Sequence, residues 1–162
     1  MAVLLTASAC AGPAEAATNL LTGTVIVTVE NRAPTCDLVL GQGQNTVALG
    51  NLTRGVVHQG PLLKMHLECP NGKRSAAISA STGSKRDDDS TLVMSNGHTR
   101  MWLEDMQGNR IDLTGAGSAD PKKRFCAGDD TRDCDVKPFV NVGANDPVGK
   151  TEAMVTFEVK YS

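Results

Sequence analysis

The 162-residue chain is poor in aromatic side chains, with one Trp, one Tyr and three Phe. It has no surplus of either charge: 16 Lys and Arg stand against 18 Asp and Glu, a formal net charge of −2. With so few stacking rings and no basic excess, it lacks the footprint of a nucleic-acid binder. No stretch approaches the roughly 20 consecutive apolar residues that cross a bilayer as a helix. His58, His66 and His98 lie far apart, without His-x-His or His-Glu-x-x-His spacing, so no metal site is expected. Gly-x-Ser-x-Gly and phosphate-loop motifs are missing too, and neither a catalytic residue nor a cofactor is expected. Asp87-Asp88-Asp89 lacks the Gly and downstream Glu of a calcium loop and reads as a solvated loop tip. What the chain does have is 16 Gly, 7 Pro and 40% hydrophobic residues. That is too much Gly and Pro for a helical bundle and too little for a low-complexity chain, and it fits one turn-rich β domain.

Met1 to Gly12 is apolar or small throughout and runs into Ala14-Glu15-Ala16, which puts small residues at −3 and −1 of a signal-peptidase site. Residues 1–16 are therefore read as a secretory signal cleaved before Ala17. Cys10 is not read as a lipid-attachment site, because Ala7 stands where such signals usually carry Leu. Removing residues 1–16 takes Cys10 away and leaves Cys36, Cys69, Cys126 and Cys134. An even count behind a signal segment points to disulfides in an oxidising compartment, and four cysteines allow three connectivities. The separations of 33, 57 and 8 residues do not suit a zinc site.

Along the rest of the chain the recurring signal is alternation, interrupted by Gly, Pro, Asn and Asp. Leu21, Gly23, Val25, Val27 and Val29 share one face of a strand, with Thr22, Thr24, Ile26 and Thr28 on the other. Further strands are expected at Asp37–Leu40, Thr46–Leu49, Leu62–Cys69, Ala76–Ser81, Thr91–Met94 and Val136–Val142. Met101–Met106 reads equally as strand or helical turn, and Trp102 as a core residue. Residues 114–135, rich in Gly, Asp and Lys, read as a long exposed loop pinned by its own disulfide between Cys126 and Cys134. The most regular strand comes last, with Val155, Phe157, Val159 and Tyr161 on one face and Met154, Thr156, Glu158 and Lys160 on the other.

About seven short strands at turn-marked intervals describe an all-β, immunoglobulin-like sandwich. Such a sandwich needs one more strand beside Val155–Tyr161, and no residues follow Ser162 to supply it. An apolar edge left open invites aggregation. The strand at Leu21–Val29 is meanwhile surplus at the other end. The two facts fit if Leu21–Val29 of one molecule inserts beside Val155–Tyr161 of the next, where main-chain hydrogen bonds give affinity and alternate side chains fill pockets. Such a head-to-tail contact repeats into an open fibre.

At this point the residues resemble the subunits of chaperone–usher pili, the fimbriae of Gram-negative bacteria. The resemblance covers nearly all of the chain after residue 16. It rests on the alternating donor positions Leu21, Gly23, Val25, Val27 and Val29 with Gly second, on the Cys36-to-Cys69 spacing with the second cysteine in Leu67-Glu68-Cys69-Pro70, and on a C-terminal motif with penultimate Tyr161 and Gly149 at the fourteenth position from the end. The resemblance implies a donor-strand extension at residues 17–34 and a pilin domain at residues 35–162. It implies an incomplete immunoglobulin-like sandwich that lacks its final strand and is completed by a donor strand from a chaperone or neighbouring subunit. A periplasmic chaperone and an outer-membrane usher are implied as partners, and the neighbouring subunits and any host receptor are met in the assembled pilus. The location implied is a fimbrium on the cell surface, reached by export through the periplasm. The same likeness gives Gly149, Val155, Phe157, Val159, Tyr161 and the Ser162 carboxylate as the acceptor groove and chaperone contact, and a Cys36–Cys69 disulfide. The Cys126–Cys134 loop departs from the usual subunit and favours a minor or adaptor position. The rival reading is a self-contained secreted immunoglobulin-like binding module, in which Leu21–Val29 pairs within its own chain.

Overall fold

The computed structural model describes residues 20–31, 36–70 and 75–161. The expected signal segment and Ser162 lie outside them. In chain order the strands are β1 (Leu21–Glu30), β2 (Asp37–Leu40), β3 (Thr46–Leu52), β4 (Val57–Gln59), β5 (Met65–Glu68), β6 (Ala76–Ser81), β7 (Thr91–Val93), β8 (Arg100–Glu104), β9 (Phe125–Gly128), β10 (Arg132–Asp133), β11 (Lys137–Asn141) and β12 (Gly149–Tyr161). The helical elements among the described residues are two short 3-10 turns, Ala116–Ser118 and Pro121–Lys123.

Two layers face each other. The first is a five-stranded sheet in the order β3-β1-β12-β6-β9. The second is written by two ladders, β10-β5-β2 and β4-β11-β8-β7. They run into one another through the bridge between Leu63 and Val136 and through the bonds from Cys134 N–H to Met65 O and from Gly60 N–H to Pro138 O. Alternate residues of both layers point inward, as a pleated strand requires. Leu38, Met65, Leu67, Met101, Leu103, Val136 and Val140 of the second layer meet Val25, Val27, Ile78, Val155 and Phe157 of the first in one buried cluster. Phe157 lies edge-on to Phe125, with centroids 6.0 Å apart, closing the core beneath β9.

Three expectations are corrected here. Residues 114–135 are not simply an exposed loop. They carry both 3-10 turns, the edge strand β9 with buried Phe125, and the two-residue β10, followed by buried Cys134. Met101–Met106 resolves as a strand over Arg100–Glu104. Trp102 lies on the outer face of β8, half-buried, stacked on Phe139 at 5.6 Å and covered by the Arg110 guanidinium at 4.3 Å, because its neighbours Met101 and Leu103 take the inward positions.

Candidate functional site: the slot between β3 and β12

In the five-stranded sheet, β3 and β12 are joined only through β1. The sandwich built by residues 36–161 therefore has a strand-wide slot between β3 and β12, and β1 of the same chain fills it. On one side β1 runs antiparallel to β3, with a register shift between Gly23 and Thr24. On the other it runs parallel to β12 for ten pairs, from Leu21 opposite Gly149 through Val27 opposite Val155 to Glu30 opposite Glu158. Among the described strand pairs this is the one parallel ladder, and all the rest are antiparallel.

The sequence dictates which face of β1 turns inward. Leu21, Gly23, Val25 and Val27 are buried, and Val29 packs partly buried against the same core. Thr22, Thr24 and Ile26 stay half-exposed and Thr28 exposed on the outer face. Gly23 is required by space: a Cβ there would stand 2.9 Å from both Leu49 Cδ1 and Leu52 Cδ1. The two leucines of β3 occupy the volume a side chain would need.

The wall opposite β3 is β12. Its inward row is Thr151, Ala153, Val155, Phe157 and Val159, all buried, ending at partly buried Tyr161. Gly149 starts the strand at φ +116°, a left-handed conformation that an L side chain rarely adopts. Its N–H donates to Leu20 O at 3.0 Å, at the mouth of the slot. The loop leading into it is fixed by buried Asp146, whose carboxylate accepts from Thr99 Oγ1 at 2.8 Å and from Gly143 N–H at 3.0 Å. Away from β1, the second half of β12 pairs with β6, from Thr156 to Tyr161. Its first half is held by Ser95, whose N–H donates to Glu152 O and whose Oγ accepts from Glu152 N–H, and by Thr82 Oγ1, which donates to Met154 O.

At the far end of the slot the Tyr161 hydroxyl accepts from Cys36 N–H at 3.0 Å and donates to Cys36 O at 3.1 Å. Cys36 is in turn bonded to Cys69, tying the start of β2 to the end of β5. Beside this junction the Asn31 carboxamide makes a two-way pair with Leu38, accepting from its N–H at 3.0 Å and donating to its carbonyl at 3.3 Å. The second disulfide, Cys126–Cys134, joins β9 of the first layer to the residue that follows β10 in the second. Arg132 reinforces that join by donating to Cys126 O and Ala76 O. Burial pulls its proton affinity down from the usual arginine value, against the pull of Asp130 and Asp129.

Every donor and acceptor residue expected from the sequence falls on these two strands, apart from Ser162, outside the described residues. Four residues that shape the site were not singled out: Leu49 and Leu52 under Gly23, and Asn31 and Leu38 at the exit. Only the glycine gave a sequence signal, since Gly inside an apolar strand marks close approach of other atoms. Among the described residues no cluster of His, Cys, Asp and Glu could hold a metal ion.

A profile of the family described as fimbrial protein matches residues 20–162, from the residue before β1 through β12. The chain belongs to the fimbrial protein family. It is a structural subunit of a pilus, not an enzyme, and the family does not favour a self-contained binding module even though β1 pairs in cis. Solved structures give the fimbrial fold. The crystal structure of the P pilus rod subunit PapA superposes with a TM-score of 0.58 at 16% identity, covering 80% of this chain and 100% of that one. A subunit from the structure of a chaperone–usher pilus superposes with a TM-score of 0.56 at 15% identity, covering 77% and 87%. No curated protein matches the chain by sequence. The fimbrial subunit is accordingly all-β and pilin-like, an immunoglobulin-like sandwich whose missing strand position is the slot described above.

Proposed function

We propose that this subunit assembles by donor-strand exchange: β1 leaves its own slot and enters that of a neighbour, while another copy's β1 replaces it. Residues 17–34 are the donor extension, with Leu21, Gly23, Val25, Val27 and Val29 as its inward positions. Gly149, Val155, Phe157, Val159 and Tyr161 line the acceptor, and Ser162 extends it toward a chaperone. Residues 1–16 direct export. A periplasmic chaperone lends a strand to the slot before assembly, an outer-membrane usher exchanges it for the next subunit's β1, and the fibre stands on the cell surface, where it can meet a host receptor. The Cys126–Cys134 addition suits a minor or adaptor position.

The observation that carries this reading is that one sheet of the sandwich is continuous only through a strand from the far end of the sequence. Two features support release of that strand. Ten of its pairs, those with β12, form a parallel ladder, which is slightly less stable per residue than an antiparallel one. Extended fully from Cys36, residues 21–35 span about 50 Å, more than the roughly 33 Å of a ten-residue strand, so β1 can reach beyond its own domain.

Deleting residues 17–30 tests this. The shortened chain is expected to unfold readily and to be restored by a synthetic peptide of residues 17–30 at one peptide per chain, followed by thermal melting. A shortened chain that melts like the full one without peptide refutes the proposal.

A further inference from the structure

The structure assigns to Asn31 the choice between cis and trans: we propose that its carboxamide pair with Leu38 is the latch that keeps β1 in its own slot. The inference rests on the exchange reading above and adds the element that controls it.

The two ends of the exit are fastened differently. Cys36 is held by its disulfide to Cys69 and by both bonds to the Tyr161 hydroxyl. Those contacts are made to β5 and β12, which belong to the acceptor, so Cys36 stays in place wherever β1 goes. Asn31 directly follows the last residue of β1, and its side chain reaches across to the middle of β2, meeting Leu38 as a neighbouring strand's peptide would. This contact exists only while β1 lies in its own slot, because a β1 pulled toward another molecule carries Asn31 away from Leu38. It adds to the end of the β1–β12 ladder, Val29 opposite Phe157 and Glu30 opposite Glu158, a side-chain tie to the second layer that parts with it. Asn31 is also exposed, so water replaces the lost partners as soon as the pair parts. A reversible fastening needs that, whereas a buried pair would leave unsatisfied groups on both sides.

Leu38 itself remains seated when the latch opens. Its side chain is buried in the core, and β2 pairs with β5 through Asp37–Leu40. Opening therefore removes two hydrogen bonds without disturbing the acceptor domain, and it changes the ease of release without changing the slot.

The test uses the full chain and a fluorescent synthetic peptide of residues 20–30, with uptake followed by anisotropy. Asn31→Ala is expected to take up the peptide about tenfold faster than the unaltered chain, the order of two modest hydrogen bonds. Asn31→Asp keeps the acceptor for Leu38 N–H but loses the donor, and is expected to fall between them. Leu92→Val, on β7 at the edge of the second layer, lowers overall stability without touching the exit, and its uptake rate is expected to equal that of the unaltered chain. Equal rates for Asn31→Ala and the unaltered chain overturn the latch alone. Equal acceleration by Leu92→Val also overturns it, since general loosening then explains the effect. No uptake by any of the four proteins overturns the exchange reading together with the latch.

Discussion

Replacing Gly23 by Ala sets two effects of opposite sign against each other. Glycine inside a strand gives up more backbone entropy on folding than alanine, so the substitution alone would stabilise by roughly 0.5 to 1 kcal/mol. The new methyl group, however, would lie 2.9 Å from Leu49 Cδ1 and Leu52 Cδ1 and 3.3 Å from Leu49 Cβ. Both leucines are buried, so moving them disturbs packed neighbours, and overpacking of this kind costs about 1 to 3 kcal/mol. Steric cost wins, and a net loss of about 1 to 2 kcal/mol is expected, lowering the melting temperature by roughly 2 to 4 °C per kcal/mol in a chain of this size. The assay is urea unfolding of the full chain with Gly23→Ala, Leu52→Val and the pair. Leu52→Val vacates a methylene beside the new methyl, so the double variant should be about 1 kcal/mol more stable than the sum of the two single losses predicts. A stabilising Gly23→Ala, or strict additivity of the pair, would refute the claim that these leucines form the floor of the slot.

The two disulfides should differ in worth. On the chain-entropy relation, opening Cys36–Cys69 by Cys→Ala changes costs about 4 kcal/mol and opening Cys126–Cys134 about 2.5 kcal/mol, and the reverse order in chemical denaturation would mean that strain or residual structure governs them. Acid should weaken the fold. In Asp88 the backbone bond from Ser90 leads the cause, while in Asp105 and Asp112 burial raises the carboxyl but is outweighed by bonds from Asn109 and from Thr114 and Lys123 respectively. All three end below the usual 3.8. Groups with depressed folded values contribute stability that is fully present above 3.8 and is lost as pH falls through those values. Melting temperature should hold down to about pH 4 and then drop, with a shallower drop in Asp112→Asn; a flat profile from pH 4 to 2 would contradict this.

The strands that matter most were legible because they are long and strictly alternating. Val155–Tyr161 presents an unbroken aliphatic and aromatic row and Leu21–Val29 an aliphatic row interrupted only by Gly23, and Asp37–Leu40 and Ala76–Ser81 are bounded by turn residues at the places where the structure ends them. Three strands escaped notice. β4, β9 and β10 have three, four and two residues, too few for alternation to register, and they lie in polar surroundings. The direction of β1 could not be read at all. Alternation is the same forwards and backwards, so Leu21–Val29 indicates a strand for the slot but not which end enters first. Asn31 was invisible for another reason: its role depends on Leu38, seven residues away in sequence, lying opposite it in the fold.

The parallel seating of β1 beside its own β12 sets a kinetic problem for growth. A segment joined to its binding site by a short tether experiences an effective concentration in the millimolar range, whereas an incoming copy at micromolar concentration competes at a disadvantage of about a thousandfold. Dissolved monomers would therefore remain solitary long after the extended polymer became the more favourable state. Under the exchange proposed above, such a delay would hold filaments back, and growth would require that the tethered segment be kept out of its own slot until the moment of joining.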